Sequence, residues 1–358
     1  MATPRAVGQW LLALVVLLGS VSSSGWQPLP TMAAPVPAPA AGERHASTAP
    51  ATTAWANLEP RLTRLAPASN FLAAEIVDHR CRPVHAVTPD RRLALGSTFK
   101  LYVLGELARQ VAAGRARWDE ELEIQDRFKS LPSGGMLYEP AGTRYTLRYF
   151  AERMIADSDN TATDHLIHRL GRENVEDAQA ALGHGAPELN TPFLTTHELF
   201  AFKIAVAPER IDSYLAAADS AQRRILASEV DPIPLSETYW GDWVGPKRID
   251  SLEWFASASE ICRALATLQA MSEGPGLEPV QQILALNRGR ALDPAIWPYA
   301  GFKGGYEAGV YNMTWLLRRA DGRLFVLTAG FNDPVNYVDQ GAVSALMLDA
   351  AGLLARTP

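Results

Sequence analysis

Cysteine is nearly missing from this chain. Its 358 residues include two, Cys81 and Cys262. So few cysteines exclude a disulfide-dense miniature scaffold, and without a CxxC or a paired Cys/His spacing no structural zinc site is expected. The two thiols are either bonded or separate, and spacing leaves both readings open. Dense positive charge is missing too. Thirty-three Lys and Arg stand against 39 Asp and Glu, a formal net charge of -6. Nucleic-acid binding needs a concentrated cationic face, so no such partner is expected. Two catalytic signatures are also absent. No His-Glu-x-x-His or His-x-His-x-Asp occurs, which argues against a zinc hydrolase. No Gly-x-Ser-x-Gly occurs, which argues against the nucleophile elbow of an α/β-hydrolase. His165 and His168, at helical spacing, read as a solvated helix face.

One apolar run stands out, Trp10 to Val21. Crossing a bilayer takes about 20 apolar residues, and this run is shorter. Arg5 precedes it and the small residues Ser22 to Ser24 follow. Residues 1–24 therefore read as an export signal, an uncleaved anchor being the other reading. The expected product is secreted or periplasmic, with no stable membrane insertion after cleavage and no Cys placed to accept a lipid. Residues 25–53 are rich in Pro, Ala and Thr and lack apolar periodicity, the pattern of a disordered spacer. Residues 54–358 are expected to fold as one domain and to act as a monomer. Helical patterns occupy 54–65, 98–113, 147–156, 160–170, 173–182, 196–207, 210–228, 257–272, 277–287 and 338–355. Strand patterns occupy 71–77, 83–87, 311–318 and 324–330. Strands at both ends with helices between predict an α+β fold: one antiparallel sheet built from both termini, with a helical lobe inserted.

Three short segments carry chemistry. Ser97-Thr98-Phe99-Lys100 opens the apolar stretch FKLYVLGELA. On a helix, Ser97 and Lys100 share a face. A Ser hydroxyl is a poor nucleophile without an adjacent base, and burial at an apolar helix start lowers a lysine pKa enough to supply one. Ser158-Asp159-Asn160 follows the helical segment LRYFAERMIAD. A tight polar turn there caps a helix and also pushes a hydroxyl and an amide into a cleft, Ser158 to relay a proton and Asn160 to meet a substrate carbonyl or hold Lys100. Lys303-Gly304-Gly305, read on an edge strand, lets a substrate backbone approach closely and offers a cation to a carboxylate.

The order of these segments resembles the class A β-lactamase and penicillin-binding family, whose motifs run S-x-x-K, S-D-N, K-T-G. The surrounding text, GSTFKLYVLGEL and PAGTRYTLRYFAERMIADSDNTATDHLI, is similar to that family over about 54–358. The resemblance implies a serine acyl hydrolase acting on a β-lactam amide or a related small-molecule ester. Ser97 is then the nucleophile, Lys100 and Ser158 shuttle protons, and the backbone N–H groups of Ser97 and Tyr306 form the oxyanion hole. Asn160, Lys303, Gly304 and Gly305 bind substrate, and no metal or organic cofactor is needed.

The sequence also departs from the family. Gly304 stands where a Thr or Ser hydroxyl usually binds a substrate carboxylate. The stretch from Ser158 to Lys303 is long, and 191–256 reads as an enlarged replacement of the loop that presents the deacylating glutamate. Pro187-Glu188-Leu189-Asn190 resembles that loop, making Glu188 the candidate base for deacylation, with Asp242, Asp250 and Glu253 weaker ones. These departures leave a slowly deacylating penicillin-binding sensor, a D-Ala-D-Ala peptidase, or an esterase of the β-lactamase type as alternatives.

Overall fold

The computed structural model describes residues 51–239, 241 and 243–358. The segment read as an export signal, nearly all of the segment read as a spacer, and Asp242 fall outside them. Five strands make one antiparallel sheet in the order Arg80–Val87, Ala68–Val77, Leu324–Asn332, Val310–Arg318, Tyr299–Glu307. The N-terminal hairpin thus joins the C-terminal three strands through pairing of Ala68–Val77 with Leu324–Asn332. The α+β expectation of a sheet closed by both ends holds.

Residues alternate along a strand, so each strand feeds two cores. Phe71, Ala73, Met313, Trp315, Phe325, Leu327 and Phe331 face the helices Ala51–Ala56, Glu59–Leu65 and Gln340–Ala355. Leu72, Ala74, Leu316 and Val326 face the helical lobe. In the lobe, the helix Lys100–Ala112 is buried from Lys100 through Ala108. A helix apolar on every side belongs in the middle of a lobe, and here it passes so close to its neighbour that a Cβ on Gly105 would meet Leu182 at 2.3 Å. Helix starts follow the side-chain caps: Thr146 accepts from Tyr149 N, and Thr195 and Ser257 each form a capping box with Glu198 and Glu260.

Cys81 on the outer strand is bonded to Cys262 on the helix Ala258–Ser272, with Cα atoms 6.3 Å apart. That bond ties the sheet to the lobe. The edge strand expected under Lys303 spans Tyr299–Glu307 and runs the full length of its partner, although its sequence, YAGFKGGYE, lacks the branched residues that mark strands. Two local expectations change. The stretch 210–228 is two short helices, Pro208–Leu215 and Asp219–Ile225, broken at Ala216–Ala218. His165 does not lie on a solvated face. It is buried, its ring accepting from Gln125 N at 2.9 Å and meeting Thr161 O at 2.7 Å. His168 is exposed and stacks on Phe128. Among the described residues, no helix is long and apolar enough to cross a membrane.

Candidate active site

Ser97 stands on the tight turn Gly96–Phe99, which runs straight into the helix Lys100–Ala112. Gly96 takes φ +49, a conformation that suits glycine. The turn rests on Trp254: its ring stacks on Phe99 with centroids 3.6 Å apart, and its carbonyl accepts from Leu95 N at 2.8 Å. Ser97 is half-buried. Lys100 is fully buried.

The second segment arrives from the turn between the helices Leu147–Ala156 and Asn160–Leu170. Asp159 caps the second helix, accepting from Ala162 N and Met136 N, both at 2.8 Å. Ser158 adopts φ +57, a strained conformation for a non-glycine residue. This bends the chain so that both its carbonyl and its hydroxyl reach the lysines. The third segment lies on the edge strand, with Lys303 inward and buried.

These groups meet. Lys100 Nζ donates to Ser158 O at 2.6 Å and to Asn160 Oδ1 at 2.7 Å, and lies 3.3 Å from Ser158 Oγ. Lys303 Nζ donates to the same Ser158 Oγ at 3.0 Å and to Gly304 O at 2.7 Å. Burial pulls the Lys100 pKa down to about 7, against the attraction of Asp159 and Asp164. Burial, reinforced by repulsion from Lys100, pushes that of Lys303 well below the usual range. A neutral Lys100 amine has two N–H groups and one lone pair. Its N–H groups are taken by Ser158 O and Asn160 Oδ1, which leaves the lone pair for a hydroxyl proton.

Gly305 carries the close approach anticipated for the third segment. A Cβ there would stand 1.9 Å from Leu95 O and 2.9 Å from Ser97 N, and one on Gly96 would stand 2.9 Å from Tyr306 N. The edge strand and the nucleophile turn are in backbone contact, with the N–H groups of Ser97 and Tyr306 on the two sides of it. Gly304 faces the other way, towards the Phe302 ring.

Glu188 is not part of this cluster. It lies exposed on the turn Pro187–Asn190, with Arg92 the charge it influences. The inward residue of that turn is Asn190, bonded to Gln179 Oε1 at 2.6 Å and to Phe255 N and O at 2.7 and 3.0 Å. Asp250 is exposed and meets Ser251, and Glu253 is buried against Lys203. Sequence reasoning missed Ser133, which donates to Ser158 O at 2.6 Å, and Leu131, whose carbonyl accepts from Asn160 at 2.7 Å. Both sit in the aperiodic segment SLPSGG, whose glycines were the available signal: a Cβ on Gly134 would stand 2.0 Å from Asp159 Oδ2.

Residues 75–223, which include the first two motifs, match the β-lactamase enzyme family. No curated protein matches the sequence. Solved structures match in fold at low identity. A β-lactamase from Sphaerobacter thermophilus is 18% identical, with a TM-score of 0.58 over 85% of this chain and 98% of that one. PBP-A is 15% identical, with a TM-score of 0.56 over 86% and 97%. A point mutant of PBP-A was solved as an acyl-enzyme complex with penicillin G. A β-lactamase from Francisella tularensis is 13% identical, with a TM-score of 0.57 over 86% and 100%. The family model thus matches the part of the chain that holds the first two motifs, and the solved structures share its fold.

Proposed function

We propose that the chain is an exported serine acyl hydrolase in which Ser97 forms an acyl-enzyme with a β-lactam amide or a related ester and releases it slowly. The observation that carries acylation is the chain of buried contacts from Lys303 through Ser158 to Lys100, the residue that follows the nucleophile turn. Neutral Lys100 takes the Ser97 proton as Oγ attacks the carbonyl carbon. The N–H groups of Ser97 and Tyr306 receive the negative charge that develops on the carbonyl oxygen. As the amide or ester bond breaks, Ser158 gives its proton to the departing atom and recovers one from Lys100. Lys303 holds the Ser158 oxygen in place throughout. No step calls for a metal or organic cofactor.

Slow release rests on where the carboxylates go. A general base must reach the attacking water within a hydrogen bond. Among the described residues every buried carboxylate is occupied elsewhere. Asp159 and Asp164 accept backbone N–H groups, Glu198 and Glu260 pair with Arg172 and Arg92, Glu106 pairs with Arg109, and Glu253 and Glu307 share Lys203. Glu188 faces solvent. This favours a penicillin-binding sensor or peptidase over a rapid β-lactamase. The Cys81–Cys262 bond supports export, since disulfides persist in oxidising compartments.

Incubation with a fluorescent penicillin, followed by intact mass and peptide mapping, tests the reading. The expected result is a persistent adduct on Ser97, lost in Ser97→Ala. Rapid hydrolysis of a chromogenic cephalosporin without an accumulating adduct refutes slow release. Labelling of Ser97→Ala at the parental rate refutes the nucleophile.

A further inference from the structure

Beside the oxyanion donors lies a buried charge cluster that the acylation steps do not use. Glu307 follows Tyr306 on the edge strand and shares the inward face with Lys303 and Gly305. Its Oε1 accepts from Lys203 Nζ at 2.6 Å. Lys203, on the helix Thr196–Ile204, also donates to Glu253. Glu253 immediately precedes Trp254, the residue under the nucleophile turn. The side chains of Lys203 and Glu253 are fully buried and that of Glu307 is 5% exposed. Trp243 covers Lys203 at 5.4 Å, and Lys247 donates to the Lys203 carbonyl at 2.9 Å.

Two carboxyl groups and one ammonium cannot all be ionised there without leaving a net buried charge. One proton neutralises the cluster. We propose that the Lys203–Glu253–Glu307 triad is a positioning device for the oxyanion hole, and that acylation of Ser97 requires the triad to keep that proton. The proposal rests on the acyl-enzyme reading above. An ionised Glu307, one residue from Tyr306 N–H, would oppose the negative charge growing on the substrate oxygen and strain the wall that holds that N–H. In a low-dielectric interior such a charge acts strongly.

Glu307 is the proton holder. Burial raises its pKa well above the usual range, Glu253 raises it further, and Lys203 opposes them. Burial works against the Lys203 charge, and the two carboxyls more than offset it, leaving its pKa above normal. Lys203, from the helix Thr196–Ile204, and Glu253, from the segment before Phe255–Ala256, are the charged groups facing Glu307 among the described residues. A group whose folded pKa is raised stabilises the fold below its unfolded pKa, and this is lost as pH rises through the folded value. The cost therefore falls on the alkaline side.

The test is the pH profile of Ser97 labelling by a fluorescent penicillin, for the parent, Glu307→Gln and Lys203→Met. The parent should lose labelling rate on the alkaline side, by about tenfold per pH unit beyond the midpoint. Glu307→Gln cannot ionise, so its alkaline limb should vanish. Lys203→Met removes the cation that favours the ionised carboxylate, so its limb should move to higher pH. The loss should appear in the labelling rate constant at saturation, not in the concentration needed to saturate. Melting temperature against pH is the second readout: the parent should lose stability as pH rises from the ordinary carboxyl range up to the labelling limb, and Glu307→Gln should not. Should Lys203→Met fail to fold, Glu307→Gln carries the test. A labelled parent whose limb is absent, or is unchanged in Glu307→Gln, overturns the triad proposal alone. A parent that takes no label overturns the acyl-enzyme reading as well.

Discussion

Gly305→Ala probes whether contact between the edge strand and the nucleophile turn builds the oxyanion hole. The added Cβ would begin 1.9 Å from Leu95 O and 2.9 Å from Ser97 N, whereas real Cβ atoms stay at least 3.0 Å from such atoms. Both obstacles are backbone, so no side chain can swing away. The strand must retreat from the turn by about 1 Å, and a misplacement of that size at a reacting centre costs roughly a hundredfold. Loss of one oxyanion donor costs about 10² to 10³, so the expected fall in the acylation rate constant is about a hundredfold or more. Overpacking should also cost about 1–3 kcal/mol of stability. Gly304→Ala is the matched control. Its Cβ would meet Phe302 Cζ at 2.9 Å, the far end of a ring that can turn aside, and the backbone Asn312 O at 3.2 Å, a far milder contact than those at Gly305, so acylation within about threefold of the parent is expected, on the scale of a tolerated repacking. Stopped-flow labelling gives the rate constant and thermal melting gives the stability. Gly305→Ala acylating within threefold of the parent would refute the reasoning.

Lys100→Ala should slow acylation by about two to four powers of ten, the range for a positioned acid or base. A rate within twofold of the parent in a labelling time course would count against it. Because Lys100 works as the free amine, acylation should rise as pH passes about 7 from below. A parental rate that stays flat from acid to neutral pH would contradict the assigned base. Replacing both cysteines by Ser should cost about 2–5 kcal/mol, read as a lower urea midpoint. The gain of the bond comes from closing a span of 181 residues, and an unchanged midpoint in fully oxidised samples would deny the bond a stabilising role.

Local text was enough to name Lys100, Ser158 and Asn160, which meet, and Ser97 on the turn before Lys100. Ser97, Lys100, Ser158 and Asn160 stand at fixed short spacings next to helix signals, and short spacing on a helix or a cap dictates which side chains share a face. The sheet pairing of the two ends was legible for the same reason, through alternating apolar runs. The strand under Lys303 was weaker, because YAGFKGGYE carries glycines where a strand usually carries branched residues. Those glycines reflect close approach of another backbone segment, which no local pattern encodes.

What the sequence determined by itself is therefore the identity and order of the site's groups, since each motif is a matter of neighbouring residues. Tertiary structure alone decided their states and their exclusions. Lys100 holds its proton less tightly because a lobe closes around it. Glu188 is turned outward while Asn190 is turned in. Lys203, Glu253 and Glu307, separated by 50 and 104 positions from Lys203, become one cluster. Burial and long-range contact are properties of the folded chain as a whole, and desolvation, which acts on Lys100, Lys203 and Glu307, does not exist until the chain has packed.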